Sequence, residues 1–253
     1  MIEAVVFDAY GTLYDVQSVT AATEEAFPGR GEYLTQVWRM KQLEYSWLRA
    51  LMGRYEDFWT VTRDSLAYAL GTIGERADGP ILDGIARAYE ALAPYPDARD
   101  ALDGLARDGR RLAILSNGAP DMLEAMVARS GLDRHLEATI SVHDARTYKP
   151  DPRAYALVER RLGVPPGAVA FVSSNGFDVA GAKAFGFTVV RLARAAADPH
   201  DAVGVSKLGA LGMFRALRMH EEALGERPDA VIAGLAELPR ALSLLDGAGS
   251  AGA

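Results

Sequence analysis

Ala4-Val5-Val6-Phe7-Asp8-Ala9-Tyr10-Gly11-Thr12-Leu13 is the stretch from which the rest of the chain can be read. Four apolar residues follow one another without alternation, and an aspartate comes straight after them. A strand with one wet face alternates apolar and polar residues, so a short unbroken run reads as a strand buried on both faces. Moving outward, Leu112–Leu115, Ala138–Val142, Ala168–Val172 and Thr188–Leu192 have the same character, and Ala230–Ile232 adds a last, shorter run. Helix-like stretches separate them: Asp97–Ala106, Pro120–Ser130, Pro152–Leu162, Val179–Phe185 and Leu235–Leu245. Pro120 and Pro152 each stand where a first helical position is expected, a place that needs no backbone N–H. Strands alternating with helices predict an α/β fold, a doubly wound parallel sheet covered on both faces. In such sheets ligands bind beyond the carboxyl ends of the strands.

One stretch breaks the alternation. From about Val16 to Leu92 the chain shows helical periodicity and no clear strand. Leu34, Val37, Trp38, Leu48 and Leu51 fall on helical spacings within Tyr33–Leu51, and further helices are expected at Tyr55–Leu70 and Pro80–Leu92. We read 16–92 as a helical subdomain inserted after the first strand, with 1–15 and 93–253 forming the α/β core. A second excursion at about 195–227 holds an amphipathic, Met-containing helix, Leu208–Ala223. It is either a connecting helix of the core or a dimer contact, and we take the latter. A small-residue tail ends the sequence. Its Gly247-Ala248-Gly249-Ser250-Ala251-Gly252 fits G-x-G-x-x-G formally, but no helix follows it, so it reads as a flexible tail.

The chain has 253 residues, 49% apolar and 24% charged, ordinary for one large globular domain or two small ones. No apolar run approaches the roughly 18 residues a membrane span needs. Met1-Ile2-Glu3-Ala4 lacks the basic stretch of a signal peptide, so a cytoplasmic location is expected. Without cysteine there is no disulfide, thiolate metal site or cysteine nucleophile. A formal charge of −7 argues against nucleic acid as the main partner. That charge describes the whole surface, so a local cationic excess around an anionic substrate stays compatible with it. There is no Gly-x-Ser-x-Gly and no Walker A motif, and His135, His143, His200 and His220 lie in no catalytic context. A Ser-His-Asp hydrolase is therefore disfavoured.

Several residues stand out, each with an ordinary reading beside the functional one. Asp8 sits at a strand's carboxyl end, where a catalytic carboxylate belongs; an Asp also caps turns there. Thr12 is placed to donate to that carboxylate, or to cap a helix. The only asparagines, Asn117 and Asn175, both lie in Ser-Asn-Gly tripeptides after apolar runs, and Asn-Gly is also a common turn former. Lysine is scarce, limited to Lys41, Lys149, Lys183 and Lys207. Lys149 lies in Thr147-Tyr148-Lys149-Pro150-Asp151-Pro152, where a solvated loop lysine is the usual outcome. Ser173-Ser174-Asn175-Gly176-Phe177-Asp178 ends one strand and opens a helix, a place for ordinary capping. Arg39 beside Trp38 would ordinarily be an exposed helical arginine. Taken singly, each ordinary reading is the stronger. Taken together, four strand ends bring Asp8, Ser116, Lys149 and Asp178 to one edge.

That order of motifs resembles the haloacid dehalogenase superfamily: an Asp nucleophile after the first strand, then Ser or Thr, then Lys, then an acidic loop. Asp8, Ser116, Lys149 and 173–178 match these in turn, and the helical insertion looks like that superfamily's cap on its Rossmann-like core. The match goes further, toward the L-2-haloacid dehalogenases. Asp8–Leu13, Leu115–Gly118, Tyr148–Pro150, Ser173–Asp178 and the stretch from Trp38-Arg39 to Leu51-Met52-Gly53-Arg54-Tyr55 all resemble that subfamily, which covers nearly the whole chain. Met40 stands where the subfamily pattern has a glutamine.

The resemblance implies hydrolysis of short-chain L-2-haloalkanoic acids to D-2-hydroxyalkanoic acids and halide, without cofactor or metal. It implies that Asp8 attacks C2 and forms an ester. Arg39, Asn117 and Phe177 would cradle the halide, and Ser116 with backbone N–H groups would bind the substrate carboxylate. Lys149 would keep Asp8 ionised and oriented, with help from Thr12, Ser173 and Asn175. Tyr10, Leu43 and Phe58 would form the apolar wall, and Tyr155 would hydrogen-bond within the site. Water activated near Asp178, together with Lys149, would hydrolyse the ester. A homodimer that binds neither nucleic acid nor membrane is expected.

A phosphatase of the same superfamily is the main alternative, with a phosphonatase or a non-catalytic relic behind it. Phosphatases of this kind use Asp-x-Asp, the second carboxylate protonating the leaving alkoxide. Here the second position is Tyr10, and a halide leaves without a proton. Phosphoryl transfer also calls for Mg²⁺. A hard cation wants several oxygen ligands, and Ser173-Ser174-Asn175 leaves only Asp178 as a carboxylate in that loop.

Overall fold

The apolar runs form one parallel sheet in the computed structural model, which describes residues 1–194 and 224–250 together with 209, 210, 212 and 222. The strands are β1 (Ala4–Phe7), β2 (Arg111–Ser116), β3 (Ala138–Ser141), β4 (Val169–Ser173), β5 (Thr188–Leu192) and β6 (Ala230–Ile232). Their spatial order is β3-β2-β1-β4-β5-β6, with every neighbouring pair parallel. β1 has a partner on each side and all its residues are buried, which is why its sequence does not alternate. From β1 the chain moves to β2 and β3, then returns past β1 and builds outward through β4, β5 and β6. The direction of winding therefore reverses between β1 and β4. The crevice beyond their carboxyl ends is where a doubly wound sheet binds its ligand.

Between β1 and β2 the chain is helical, with α1 (Thr20–Ala26), α2 (Gly31–Leu51), α3 (Phe58–Thr72) and α4 (Gly79–Ala86). α2 packs along α3, and Leu34 and Trp38 of the one and Val61 and Leu66 of the other are buried in the same core. The Trp38 indole N–H donates to the Thr62 carbonyl at 2.8 Å, so this large ring is buried with its one polar atom satisfied. The apolar residues of these helices and of the sheet form one continuous core.

The sheet is covered by α5 (Ala98–Arg107), α6 (Pro120–Ser130), α7 (Pro152–Leu162), α8 (Gly176–Phe185) and α9 (Leu238–Ser250). α7 and α8 pack on each other, while α5 packs with α9. Pro120 and Pro152 open their helices, and Gly131 and Gly163 close them in the left-handed conformation. Several boundaries differ from the sequence reading; the helix expected at Pro80–Leu92 ends at Ala86, where a 3₁₀ turn (Arg87–Ala91) takes over. α8 starts at Gly176 rather than Val179, because Asn175 takes the extended N-cap conformation, and this puts Asp178 in the first helical turn. Leu235–Glu237 is a 3₁₀ turn, and α9 runs on into the glycine-rich tail. Asp246 holds it there, accepting the Ile2 N–H and pairing with Arg110 at 2.7 Å. The excursion expected at about 195–227, and with it the expected amphipathic helix and dimer contact, lies almost wholly outside the described residues. No helix among the described residues is long and apolar enough to cross a membrane.

α3 begins where Asp57 accepts the Thr60 N–H at 2.7 Å, and its first residue, Phe58, is buried. Asp57→Ala removes this cap and lowers unfolding free energy by about 1 kcal/mol in urea denaturation. An unchanged urea midpoint would show that the cap does not hold the helix start.

Candidate active site

The turn after β1 brings Thr12 back over Asp8. The Ala9 carbonyl accepts the N–H groups of Leu13 and Tyr14, both at 3.0 Å, and Gly11 takes φ +85°, a conformation that strains residues with a Cβ. Thr12 Oγ1 accepts the Ser174 N–H at 3.0 Å and donates its own proton to Asp8 Oδ2 at 3.0 Å. The Ser174 hydroxyl closes the turn on the Gly11 carbonyl at 2.7 Å. Arg194 secures it from the end of β5, donating to the Thr12 carbonyl at 2.8 and 3.1 Å and pairing with Asp97 at 2.7 Å. Asn175, the N-cap of α8, donates through Nδ2 to Asp8 Oδ2 at 2.8 Å and to the Tyr10 carbonyl at 3.0 Å.

Lys149 enters from the loop before α7. Its Nζ lies 3.1 Å from Asp8 Oδ1 and 3.0 Å from Asp178 Oδ2, and its side chain is 1% exposed. The Lys149 N–H is held by Asn117 Oδ1 at 3.0 Å, which ties this loop to the one after β2. Tyr155, one turn into α7, donates to Asp178 Oδ1 at 2.9 Å. Two carboxylates and one ammonium thus share a buried site of net charge −1. Burial pushes the Asp178 carboxyl up, to about 6, against the opposing pull of Lys149. Burial alone would push the Lys149 ammonium down, but Asp178 and then Asp8 outweigh it and the shift is upward. Burial, and then Asp178, hold the Tyr155 hydroxyl well above its ordinary value, so it remains a proton donor in its hydrogen bond.

A second, cationic surface comes from α2. Arg39 is almost fully buried; its Nη1 donates to Gln42 Oε1 at 2.7 Å, and its guanidinium carbon lies 5.8 Å from the Tyr10 ring centroid. Among the described residues no carboxylate pairs with it. Tyr10 stacks on Phe58 with centroids 5.4 Å apart, and its hydroxyl, buried without a hydrogen-bond partner among the described residues, is pushed far up by burial. Tyr10, Arg39, Leu43, Ser174 and Asn175 share the lining of a small cleft of about 60 Å³.

One hydrogen-bond network therefore unites Asp8, Thr12, Lys149, Tyr155, Asn175 and Asp178, and Asn117 joins it through the Lys149 backbone. Tyr10, Arg39, Leu43 and Phe58 gather on the α2 and α3 side. Phe177 packs edge-on against Trp47, with centroids 5.0 Å apart. Ser116 and Ser173 hold the backbones of their own turns: Ser116 Oγ accepts the Gly118 N–H at 3.1 Å and Ser173 Oγ the Asn175 N–H at 3.2 Å. Neither hydrogen-bonds Asp8 among the described residues. Ser174, Arg194, Gln42 and Trp47 also belong here and were not singled out from the sequence. Ser174 had a signal, its place in Ser-Ser-Asn-Gly; Arg194 had none.

Both Asp8 oxygens can be accounted for. A carboxylate oxygen offers two lone pairs in its plane. Among the described residues Oδ2 takes two donors, Thr12 and Asn175, whereas Oδ1 takes Lys149 alone and keeps one pair free. This is a carboxylate fixed in orientation and open for attack through one atom.

A turn-borne aspartate, a lysine between two carboxylates and helices inserted after the first strand define a class of hydrolase. The sequence model of the hydrolase family described as haloacid dehalogenase-like hydrolase matches residues 2–186, and the chain belongs to that family. It is 60% identical over 249 residues to the (S)-2-haloacid dehalogenase of Xanthobacter autotrophicus, covering 98% of each chain. To the (S)-2-haloacid dehalogenase of Pseudomonas sp. strain YL it is 45% identical over 186 residues, covering 74% of this chain and 80% of the relative. Its fold matches that of the L-2-haloacid dehalogenase from Xanthobacter autotrophicus with chloropropionic acid covalently bound. That match has a TM-score of 0.93 at 59% identity and covers 96% of this chain and 99% of the other.

Removing Lys149 leaves two buried carboxylates without their cation. Lys149→Met lowers unfolding free energy by about 3–5 kcal/mol at pH 8. Lys149 draws the Asp178 carboxyl down toward about 6 against burial, so without it that carboxyl takes up its proton at higher pH than in the wild type, and the loss shrinks as pH falls from 8 toward about 6. Urea denaturation of variant and wild type at pH 8 and pH 5 measures this; the same loss at both would contradict it.

Proposed function

We propose that this chain is a hydrolytic dehalogenase converting short L-2-haloalkanoic acids to D-2-hydroxyalkanoic acids and halide through an ester on Asp8. The observation that carries the reading is the asymmetric hydrogen bonding of Asp8, taken with the (S)-2-haloacid dehalogenase relatives. The described helices of 16–92 act as a cap, and the substrate lies between Arg39 above and Asp8 below.

Oδ1, with its free lone pair, attacks C2 from the side opposite the halogen; the C2–halogen bond breaks as C2–Oδ1 forms, and configuration inverts. The halogen leaves as the anion with the bonding pair, toward Arg39, Asn117 and Phe177. Arg39 supplies positive charge that grows in value as the halide charge develops. Tyr10, Leu43 and Phe58 keep the reacting carbon in apolar surroundings. Ser116 acts with the backbone N–H groups of its turn to hold the substrate carboxylate.

After attack by Oδ1, Oδ2 becomes the ester carbonyl oxygen. Thr12 and Asn175 already donate to it, and these two donors stabilise the oxyanion formed when water adds to the carbonyl carbon. Asp178 takes the water's proton, while Lys149 and Tyr155 hold that carboxylate in place. The acyl C–Oδ1 bond then breaks, Oδ1 takes a proton from Lys149, which Asp178 restores with the one it took from water, and the hydroxy acid departs with the oxygen that had belonged to Asp8, whose new carboxyl gives its proton to solvent. Asp178 must be ionised for this step, so its elevated value of about 6 predicts that kcat falls as pH drops through that region. The same reading keeps the expectation of a homodimer acting in the cytoplasm.

Halide release from L- and D-2-chloropropionate, with and without EDTA, tests the assignment. Release from the L isomer alone, unaffected by EDTA, is the expected result. Asp8→Asn should reduce it by about 10⁴-fold or more with the circular dichroism spectrum unchanged. Mg²⁺-dependent hydrolysis of p-nitrophenyl phosphate without halide release would instead support the phosphatase alternative.

A further inference from the structure

A buried guanidinium usually gains a carboxylate partner, because an unpaired charge is costly to remove from water. Arg39 has none among the described residues. Its one hydrogen-bonded partner there is the side-chain amide of Gln42, itself fully buried one helical turn further along α2. We propose that Gln42 is a positioning residue that aims Arg39 at the departing halide while leaving its positive charge uncancelled; this rests on the dehalogenase reading above.

The orientation of the amide follows from its neighbours. A guanidinium only donates, so the Gln42 carbonyl oxygen faces Arg39. On the other side, Gln42 Nε2 donates to Thr62 Oγ1 at 2.8 Å, and the Thr62 hydroxyl donates its proton to the Phe58 carbonyl at 2.7 Å. Turning the amide over would set an NH₂ group against the guanidinium, donor to donor. The relay from the Phe58 carbonyl through Thr62 and Gln42 thus fixes one Arg39 nitrogen and also spans α3 and α2, the helices that carry Phe58 and Leu43.

The choice of a neutral acceptor is informative. A glutamate here would make a stronger, charge-assisted bond to Arg39. It would also neutralise the guanidinium at the place where a leaving anion needs it. Glutamine gives the same geometry with the charge intact, which suits an anion site and not a structural ion pair.

Wild-type and Gln42→Glu proteins are compared in halide release from L-2-chloropropionate, inhibition by bromide and thermal unfolding. Gln42→Glu should unfold at or above the wild-type temperature, lower kcat by about tenfold or more, and raise the bromide inhibition constant by a similar factor. A purely structural role predicts wild-type kinetics for this variant, since it keeps the acceptor oxygen. Wild-type kcat and bromide inhibition in folded Gln42→Glu overturn the proposal. Should that variant not fold, Thr62→Val, which frees the amide to turn, must raise the bromide inhibition constant while Thr62→Ser keeps it; no change in Thr62→Val overturns the proposal. Absence of halide release from the wild-type protein would be a failure of the dehalogenase reading instead.

Discussion

One ammonium, that of Lys149, lies between the carboxylates of Asp8 and Asp178 in a place almost without solvent. Two carboxylates cannot stay ionised there unless hydrogen bonds and a cation replace the water they have lost. Lys149 fills that need for both at once. Thr12 and Asn175 complete the shell of Asp8, and Tyr155 completes that of Asp178. Each donor comes from a different segment: the turn after β1, the loop before α7, α7 itself and the start of α8. The parallel register of β1, β2 and β4 is what lets them converge. Phe7 lies beside Ile114 on one side and Val172 on the other, so the three strands end within two residues of one another. A slip of one strand would separate the charges and leave them buried and unpaired.

The opposite side of the site works through a different imbalance. The lower group carries one more negative than positive charge. Arg39, buried with an amide partner and an aromatic face, restores positive charge close to it. The chain as a whole has a formal charge of −7, which describes its average surface and not this cleft. An anionic substrate therefore meets a locally cationic wall inside an acidic protein. The nearby Tyr10 hydroxyl is held protonated by burial, so it brings no charge of its own.

Much of this was legible in the sequence because parallel strands buried on both faces leave unbroken apolar runs, and because Pro and Gly mark helix ends with little dependence on tertiary context. Asp8, Lys149, Asn175 and Asp178 could be placed at strand ends from such runs alone. Gln42 could not, although it stands three residues from Arg39. Its significance depends on both side chains being buried and on Thr62 arriving from the next helix, and neither is a property of local sequence. Arg194 reaches Thr12 from the bend after β5, far along the chain, and had no motif around it. Ser116 and Ser173 show the opposite case: their capping reading and their site reading were both open, and the geometry adds turn-holding hydrogen bonds to each. The length of α9 depends on Asp246 meeting Ile2 and Arg110, a contact between the two ends of the described chain.

The proposed reaction requires Asp8 Oδ1 to become covalently bound to C2 and water then to attack the Asp8 carbonyl carbon. Reaction of excess enzyme with L-2-chloropropionate in H₂¹⁸O, limited to a single turnover, tests both steps together. The prediction is one ¹⁸O atom in the peptide containing Asp8 and none in the lactate released. Labelled lactate with an unlabelled Asp8 peptide would mean that water attacks C2 directly, and would contradict an ester on Asp8.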